Sequence, residues 1–222
     1  MVEDNSTEKP FPSYRKHTRR TGQDLAKRTH IIHNIAPKEA LFLEKEKTAR
    51  LEKENKYDSL TGLYNRRYLF QLLEHYEANP NRGKIGVLMM DLDDFKKTND
   101  EYGHQTGDVT LKHWADLLNS NIRDLDLAFR YGGEEAVILL PGIEDEEMLI
   151  KRAEQIREAI QNSEFTTHDR SRKFNKTVSI GATIWDSSDT HDFALSEADK
   201  AMYKAKELGK NRVISANNLI NE

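Results

Sequence analysis

Residues 84–96 read Lys-Ile-Gly-Val-Leu-Met-Met-Asp-Leu-Asp-Asp-Phe-Lys, an apolar run that breaks abruptly into carboxylates. Ile85 to Met90 is short, continuous and apolar, the mark of a strand buried on both faces. On its N-terminal side, Arg66 to Ala78 reads as an amphipathic helix with Leu69, Phe70, Leu72, Leu73 and Tyr76 apolar. The turn Asp58-Ser59-Leu60-Thr61-Gly62 precedes that helix, and Asn79-Pro80-Asn81-Arg82-Gly83 ends it. On the C-terminal side, Gly107 to Asn121 reads as a helix. Leu127 to Tyr131 and Glu134 to Leu140 flank Gly132-Gly133, the signature of a two-residue hairpin. Glu144 to Ile160 is helical, Lys176 to Trp185 a strand, Asp192 to Leu208 a helix closed by Gly209, and Arg212 to Ser215 a last short strand. The centre of this order is βαββαβ. It predicts an α+β, ferredoxin-like sheet with helices on one face. That architecture hosts many activities, so function must be read from side chains.

Composition bounds the rest. A chain of 222 residues is one domain with an appendage. No run reaches the ~18–20 apolar residues of a membrane span, and the first residues lack the apolar stretch of a secretory leader, so a cytoplasmic protein is expected. The absence of cysteine excludes disulfide scaffolds, thiolate zinc sites and cysteine nucleophiles. The net charge of −4 argues against a general nucleic-acid binder. That charge is uneven: residues 1–37 carry +3, residues 38–56 carry +1, and residues 57–222 carry −8. Three segments are therefore expected. Residues 1–36 read as a flexible basic leader. Residues 37–56 read as a linker helix with a weak coiled-coil seam, Leu41, Thr48, Leu51 and Asn55, too short to be stable alone. Residues 57–222 read as the working domain.

Four constellations carry chemistry. Asp91, Asp93 and Asp94 crowd the end of the apolar strand and call for a compensating cation, for which Mg²⁺ is suited. Glu134 and Glu135 open the strand that leaves the hairpin. Beside Asp91, at least one of them could help hold a metal pair that stabilises an in-line displacement at phosphorus. Asn99 and Asp108 offer the acceptors and donors that match a guanine edge, although Asp108 could equally cap a helix. Lys206 and Lys210, four apart at a helix end, could clamp polyphosphate or merely favour the helix C-terminus. No Walker loop is present.

Taken together, DSLTGLYNRR at 58–67, DLDDFKKTNDEYGHQTGD at 91–108, RYGGEEA at 130–136 and ADKAMYKAKELGKNR at 198–212 resemble the GGDEF family of diguanylate cyclases. The resemblance runs from about Tyr57 to Ser215. It implies a palm-type cyclase fold and the condensation of two GTP into cyclic di-GMP and two pyrophosphates, with Mg (or Mn) as the metal. By the same resemblance Asp91, Glu134, Glu135 and the Leu92 carbonyl serve the metals. Glu134 helps deprotonate the attacking hydroxyl. Phe95 and Lys96 line the phosphate pocket by their backbone, Asn99 and Asp108 hold guanine, and Lys206 and Lys210 hold phosphate. Arg123 and Asp126 match the family's RxxD inhibitory site for product. Two positions depart from the pattern: Ala136 stands where the family has Phe, and Gln155 where an arginine often assists the inhibitory site. One site holds one GTP, so the reaction implies a homodimer tethered by the N-terminal helix, with a regulatory protein partner as a possible input. A catalytically silent module that binds cyclic di-GMP as a receptor is the alternative.

Overall fold

The computed structural model describes residues 42, 44, 47, 55–79 and 81–219. The chain forms two compact units, Met1–Ala49 and Arg50–Glu222. In the first, Phe42, Glu44 and Lys47 are helical. Leu41, Thr48 and Leu51 of the expected seam, and the whole expected leader, lie outside the described residues.

The second unit is built on β2, Ile85–Leu92, whose eight residues are all buried. It pairs antiparallel with β4, Glu135–Pro141, on one side and β7, Val178–Trp185, on the other. Outside β4 lie β3, Leu127–Arg130, and the two-residue β1, Tyr64–Asn65. Outside β7 lies β8, Val213–Ser215. The sheet order is thus β1-β3-β4-β2-β7-β8. A separate hairpin, β5 Glu164–Thr166 with β6 Lys173–Asn175, is one that the polar sequence there did not announce.

Alternation along β2 sends its side chains into two cores. Leu88, Met90 and Leu92 pack with Trp114 and Leu118 of α3, His104–Asn121, and Ala153 and Ile156 of α4, Glu146–Gln161. Ile85, Val87 and Met89 pack with Leu69 and Leu73 of α1, Arg66–Glu77, and Ala198 and Met202 of α5, His191–Glu207. Burying each such side chain is worth about 1.5–3 kcal/mol. The expectation of helices on one face is therefore half right. The two helices inside the βαββαβ centre share a face, but α1 and α5 cover the other, and only that second layer lets β2 be apolar throughout.

One helix escaped the sequence reading: α2, Phe95–Tyr102, in the polar stretch after the carboxylates. Its buried Phe95 and Thr98 stand three apart on one inner stripe. Gly103, at φ 82°, separates it from α3, which begins three residues earlier than expected.

The hairpin also differs from expectation. Its strands end at Arg130 and resume at Glu135, so Tyr131–Glu134 form a four-residue connection. The N–H groups of Tyr131 and Gly132 both donate to the Glu135 carbonyl, at 2.9 and 3.3 Å. Neither Gly132 nor Gly133 adopts positive φ. Gly132 serves close approach instead: a Cβ there would lie 2.4 Å from Glu135 Oε2. Ala136 is fully buried, opposite Met90 and Arg130 in the sheet.

Candidate active site

Met89 and Val137 are register partners facing the α1/α5 core, and Asp91 and Glu135 are the next partners on that face. Asp91 is 8% exposed, and burial pushes its carboxyl above the usual range against the pull of Lys206. Lys206 Nζ, reaching in from the end of α5, lies 2.8 Å from Asp91 Oδ2. Glu135 is also pushed up, by burial first and by Asp91 second. Two carboxyls reluctant to ionise thus share one lysine, and a divalent cation would reverse both shifts. The donors are hard oxygens, which suits Mg²⁺ or Mn²⁺. Among the described residues no three His, Cys, Asp or Glu side chains converge on one metal position. Further ligands would have to be carbonyl, water or phosphate oxygens. Leu92 ends β2, and its N–H donates to the Glu134 carbonyl at 3.1 Å, tying the half-buried Glu134 to the carboxylate strand.

The expected crowd of three aspartates does not form. Asp93 accepts from Thr177 Oγ1 and Ser179 Oγ, both at 2.7 Å, and from the Asn211 N–H at 3.1 Å. It is a buried brace between β2, β7 and the loop before β8. Asp94 takes the left-handed conformation, φ 53°, and turns outward between Lys97 at 2.9 Å and Lys210 at 2.7 Å. Those lysines, Lys210 first, hold its carboxyl down to about 2, while Asp94 in turn raises Lys210. Lys206 and Lys210 therefore both rest on carboxylates.

Asp94 leads directly into α2, where Phe95 is buried and Lys96 exposed. Beneath them, Lys176 is 6% exposed and donates to Thr98 Oγ1 at 3.1 Å. Burial lowers its ammonium below the usual lysine range. The amide of Asn99 lies against Gly107, where a Cβ would come within 1.9 Å of Asn99 Oδ1. That contact packs Asn99 against α3 at the residue before Asp108. Asp108 is exposed inside α3, whose N-cap is Gly103 with no side-chain cap, so a capping role for Asp108 is ruled out.

The hairpin is locked from behind. The Arg130 guanidinium donates to the carbonyls of Gly132 and Gly133, at 3.2 and 2.9 Å, and to Asp58 Oδ1 at 2.9 Å. Asp58 also accepts from Thr61 N–H and Oγ1, at 2.9 and 2.7 Å. Those bonds and Arg130 hold its carboxyl below the usual range despite burial. The Asp58–Arg130 pair spans 72 residues and was invisible as a pair in the sequence, although each residue stands in a conspicuous motif.

Arg123 and Asp126 close one tight turn. Asp126 Oδ2 accepts from the Arg123 N–H at 2.8 Å, and the Asp126 N–H donates to the Arg123 carbonyl at 2.9 Å. Asp126 is buried and Arg123 exposed. Arg152 of α4 lies 3.5 Å from Asp126 Oδ2 and donates to Gln155 Oε1 at 2.7 Å and to the Asn121 carbonyl at 3.1 Å. The helix thus supplies an arginine one turn before the expected position, and Gln155 steadies it. Nothing in the sequence spacing marked Arg152.

With this geometry in view, comparison with known proteins is informative. Residues 55–212 match the family described as "Diguanylate cyclase, GGDEF domain". The response regulator PleD of Caulobacter vibrioides is 39% identical over 160 residues, 71% of this chain and 35% of PleD. Diguanylate cyclase A of Treponema denticola is 36% identical over 197 residues, 86% of this chain and 52% of that protein. The chain thus spans about a third to a half of these curated relatives. Among solved structures, the coiled coil and GGDEF domain of DgcB from Caulobacter crescentus, in complex with c-di-GMP, superimposes with a TM-score of 0.74 at 26% identity. That match covers 86% of this chain and 99% of the other. Diguanylate cyclase SiaD of Pseudomonas aeruginosa, in complex with its activator SiaC, gives 0.69 at 26% identity, covering 87% and 75%.

Proposed function

The chain belongs to the GGDEF family of diguanylate cyclase domains, and on that premise we propose that it condenses two GTP into cyclic di-GMP and two pyrophosphates. The observation that carries this reading is the register pairing of Asp91 with Glu135 on one face, next to a loop locked by Arg130 and opposite Lys206. Asp91, Glu135, Glu134 and the Leu92 carbonyl would hold Mg²⁺ or Mn²⁺. When bound, the metal supplies charge stabilisation at the reacting phosphate. Asn99 and Asp108 take the guanine edge: Asp108 accepts from N1–H and the 2-amino group, and Asn99 donates to the ring acceptors. Lys206 and Lys210 exchange their carboxylate partners for phosphate oxygens, and the backbone N–H groups at Phe95 and Lys96 face the phosphates at the start of α2. Glu134 accepts the proton of the attacking 3′-hydroxyl.

Each 3′-hydroxyl attacks the α-phosphate of the other nucleotide, so two copies must meet as a two-fold homodimer. The segment 37–56 is the proposed tether. It raises the effective concentration of one catalytic domain at the other. A regulatory protein could act through it, as an activator accompanies SiaD. Arg123, Asp126 and Arg152 form the proposed product site, through which cyclic di-GMP slows turnover.

Incubation with GTP and Mg²⁺, followed by chromatography for cyclic di-GMP, tests the reading. Product from GTP and none from ATP is expected, because adenine leaves Asp108 without its donors. Cyclic di-GMP binding with no turnover would favour the silent receptor instead.

A further inference from the structure

The motif at 58–67 ends in two arginines that the cyclase chemistry leaves unused. Arg66 and Arg67 join Arg130, Gly132 and Gly133 around a surface pocket of about 390 Å³ whose one carboxylate is Asp58. Asp58 is committed to Arg130. Arg67 Nη1 donates to the neutral amide oxygen of Asn55 at 3.1 Å. The Arg66 guanidinium lies 4.4 Å from the Tyr131 ring centroid and 5.7 Å from that of Phe70, with Nη2 3.5 Å from the Tyr131 hydroxyl. Neither Arg66 nor Arg67 has a carboxylate partner among the described residues. The pocket therefore holds two positive charges that no carboxylate among the described residues pairs, in a segment, 57–222, of net −8. An aromatic shelf fixes the plane of a guanidinium while leaving its edge N–H groups for a ligand, and that fork matches phosphate.

The location points the same way. Gly132 lines the pocket on one side and carries the Glu135 carboxylate on the other. Along the sheet, the arginines stand at the β1/β3 side of the Asp91–Glu135 pair, whereas Lys206 and Lys210 approach from α5 and the β7/β8 side. Two cation clusters thus flank the carboxylates, and a chain holding one nucleotide needs only one of them for its phosphates. We propose that the Arg66/Arg67 pocket is a second phosphate-binding site, distinct from Lys206 and Lys210, that takes a phosphate or diphosphate group. The proposal rests on the cyclase reading only for the source of that group: the nucleotide carried by a second copy, or released pyrophosphate.

Calorimetric titration of inorganic pyrophosphate tests it in the full chain bearing Lys206→Ala and Lys210→Ala, which silences the other cluster. Saturable binding is expected. It should weaken by about tenfold or more when Arg66→Gln and Arg67→Gln are added, as loss of charge-assisted hydrogen bonds implies, and should weaken with added salt. Absence of saturable binding, or binding indifferent to the arginine replacements in variants that melt like the parent, overturns the proposal. If the combined variant fails to fold, Arg66→Gln alone carries the same comparison. This readout does not depend on turnover, so it survives failure of the cyclase reading. The source follows from Arg66→Gln/Arg67→Gln with both lysines intact. Lower turnover at saturating GTP, with unchanged affinity for a non-hydrolysable GTP analogue, assigns the second nucleotide. Unchanged turnover with loss of inhibition by pyrophosphate assigns the product.

Discussion

Asp91 and Asp126 are both buried aspartates in the same domain, and each meets one basic side chain. Their surroundings differ. Asp126 also accepts its own turn's N–H, and the arginine that faces it is tied to a carbonyl and an amide. Asp126 is thus hydrogen-bonded and charge-paired as it stands, while the buried Arg152 Nε has no partner among the described residues. Asp91 sits with Glu135, and both carboxyls are pushed upward by burial, with Lys206 the basic side chain that ion-pairs there among the described residues. Preorganised charge of one sign is what a cation-binding site needs before the cation arrives, and it costs native stability until then. The two regions should therefore respond oppositely to mutation: one in activity, the other in stability.

The largest effect is expected at the carboxylate pair. Asp91→Asn or Glu135→Gln should lower cyclic di-GMP formation by about 10²–10³ or more, as for other groups that stabilise a transition state. Neither should lower the melting temperature of the metal-free protein, because each removes a charge that burial, full at Asp91 and partial at Glu135, disfavours. For Glu135 the sign follows from its raised carboxyl. The native form keeps its proton above pH 4.5 while the unfolded chain has lost it, so stability falls as pH rises through that window. Glu135→Gln should flatten that slope in thermal melts. A variant that is inactive because it melts early would break the comparison.

The turn at Asp126 comes next. Arg152→Ala removes the basic partner of a buried carboxylate and should cost about 1–3 kcal/mol. Turnover measured before product accumulates should be unchanged. Inhibition by cyclic di-GMP should weaken in Arg152→Ala as in Arg123→Ala. A variant stable as the parent would mean that Asp126 does not need Arg152.

How much of this was legible in the sequence depended on whether the signal was local. The apolar run 85–90 announced the central strand, and the alternation of elements announced the βαββαβ centre, because both follow from short-range pattern; the edge strand β1, only two residues long, left no such signal. The Asp93 brace was illegible: its partners Thr177, Ser179 and Asn211 lie more than 80 residues away, and an aspartate between two others looks like one more acid. The helix α2 was hidden because only Phe95 and Thr98 of its eight residues are buried, too few to mark an apolar stripe. Arg152 was missed because the family pattern directed attention to Gln155, three residues on. The two glycines were read as turn formers, whereas Gly132 is needed to seat the Glu135 side chain.

A third measurement sharpens the comparison from the packing side. Ala136 adjoins Glu135 but points into the α3/α4 core, fully buried where the family has Phe. Ala136→Phe should overpack that core and cost roughly 1–3 kcal/mol. A higher melting temperature would show that the space is vacant, and the carboxylate pair would then rest on a loosely packed strand.

The smallest effect is expected at Lys176, the cationic counterpart of Asp91. It is buried under α2 with a single neutral acceptor, Thr98, and its nearest opposite charges, Asp94 and Asp93, are committed to other groups. Lys176→Met keeps the unbranched shape, loses one hydrogen bond and removes one buried charge. Such volume-conserving exchanges shift stability by less than about 1.5 kcal/mol, and here the sign should favour the variant near neutral pH. Because burial lowers the lysine in the folded state, the native form releases its proton before the unfolded chain does. Wild-type stability therefore rises as pH climbs toward 10.5, and the advantage of Lys176→Met should shrink over that range. If the advantage is constant with pH, or the variant is less stable at every pH, the ammonium of Lys176 is satisfied in the fold in the way the Asp126 carboxylate is, and the division between the strained carboxylate end of the sheet and the paired Asp126 turn fails at this residue.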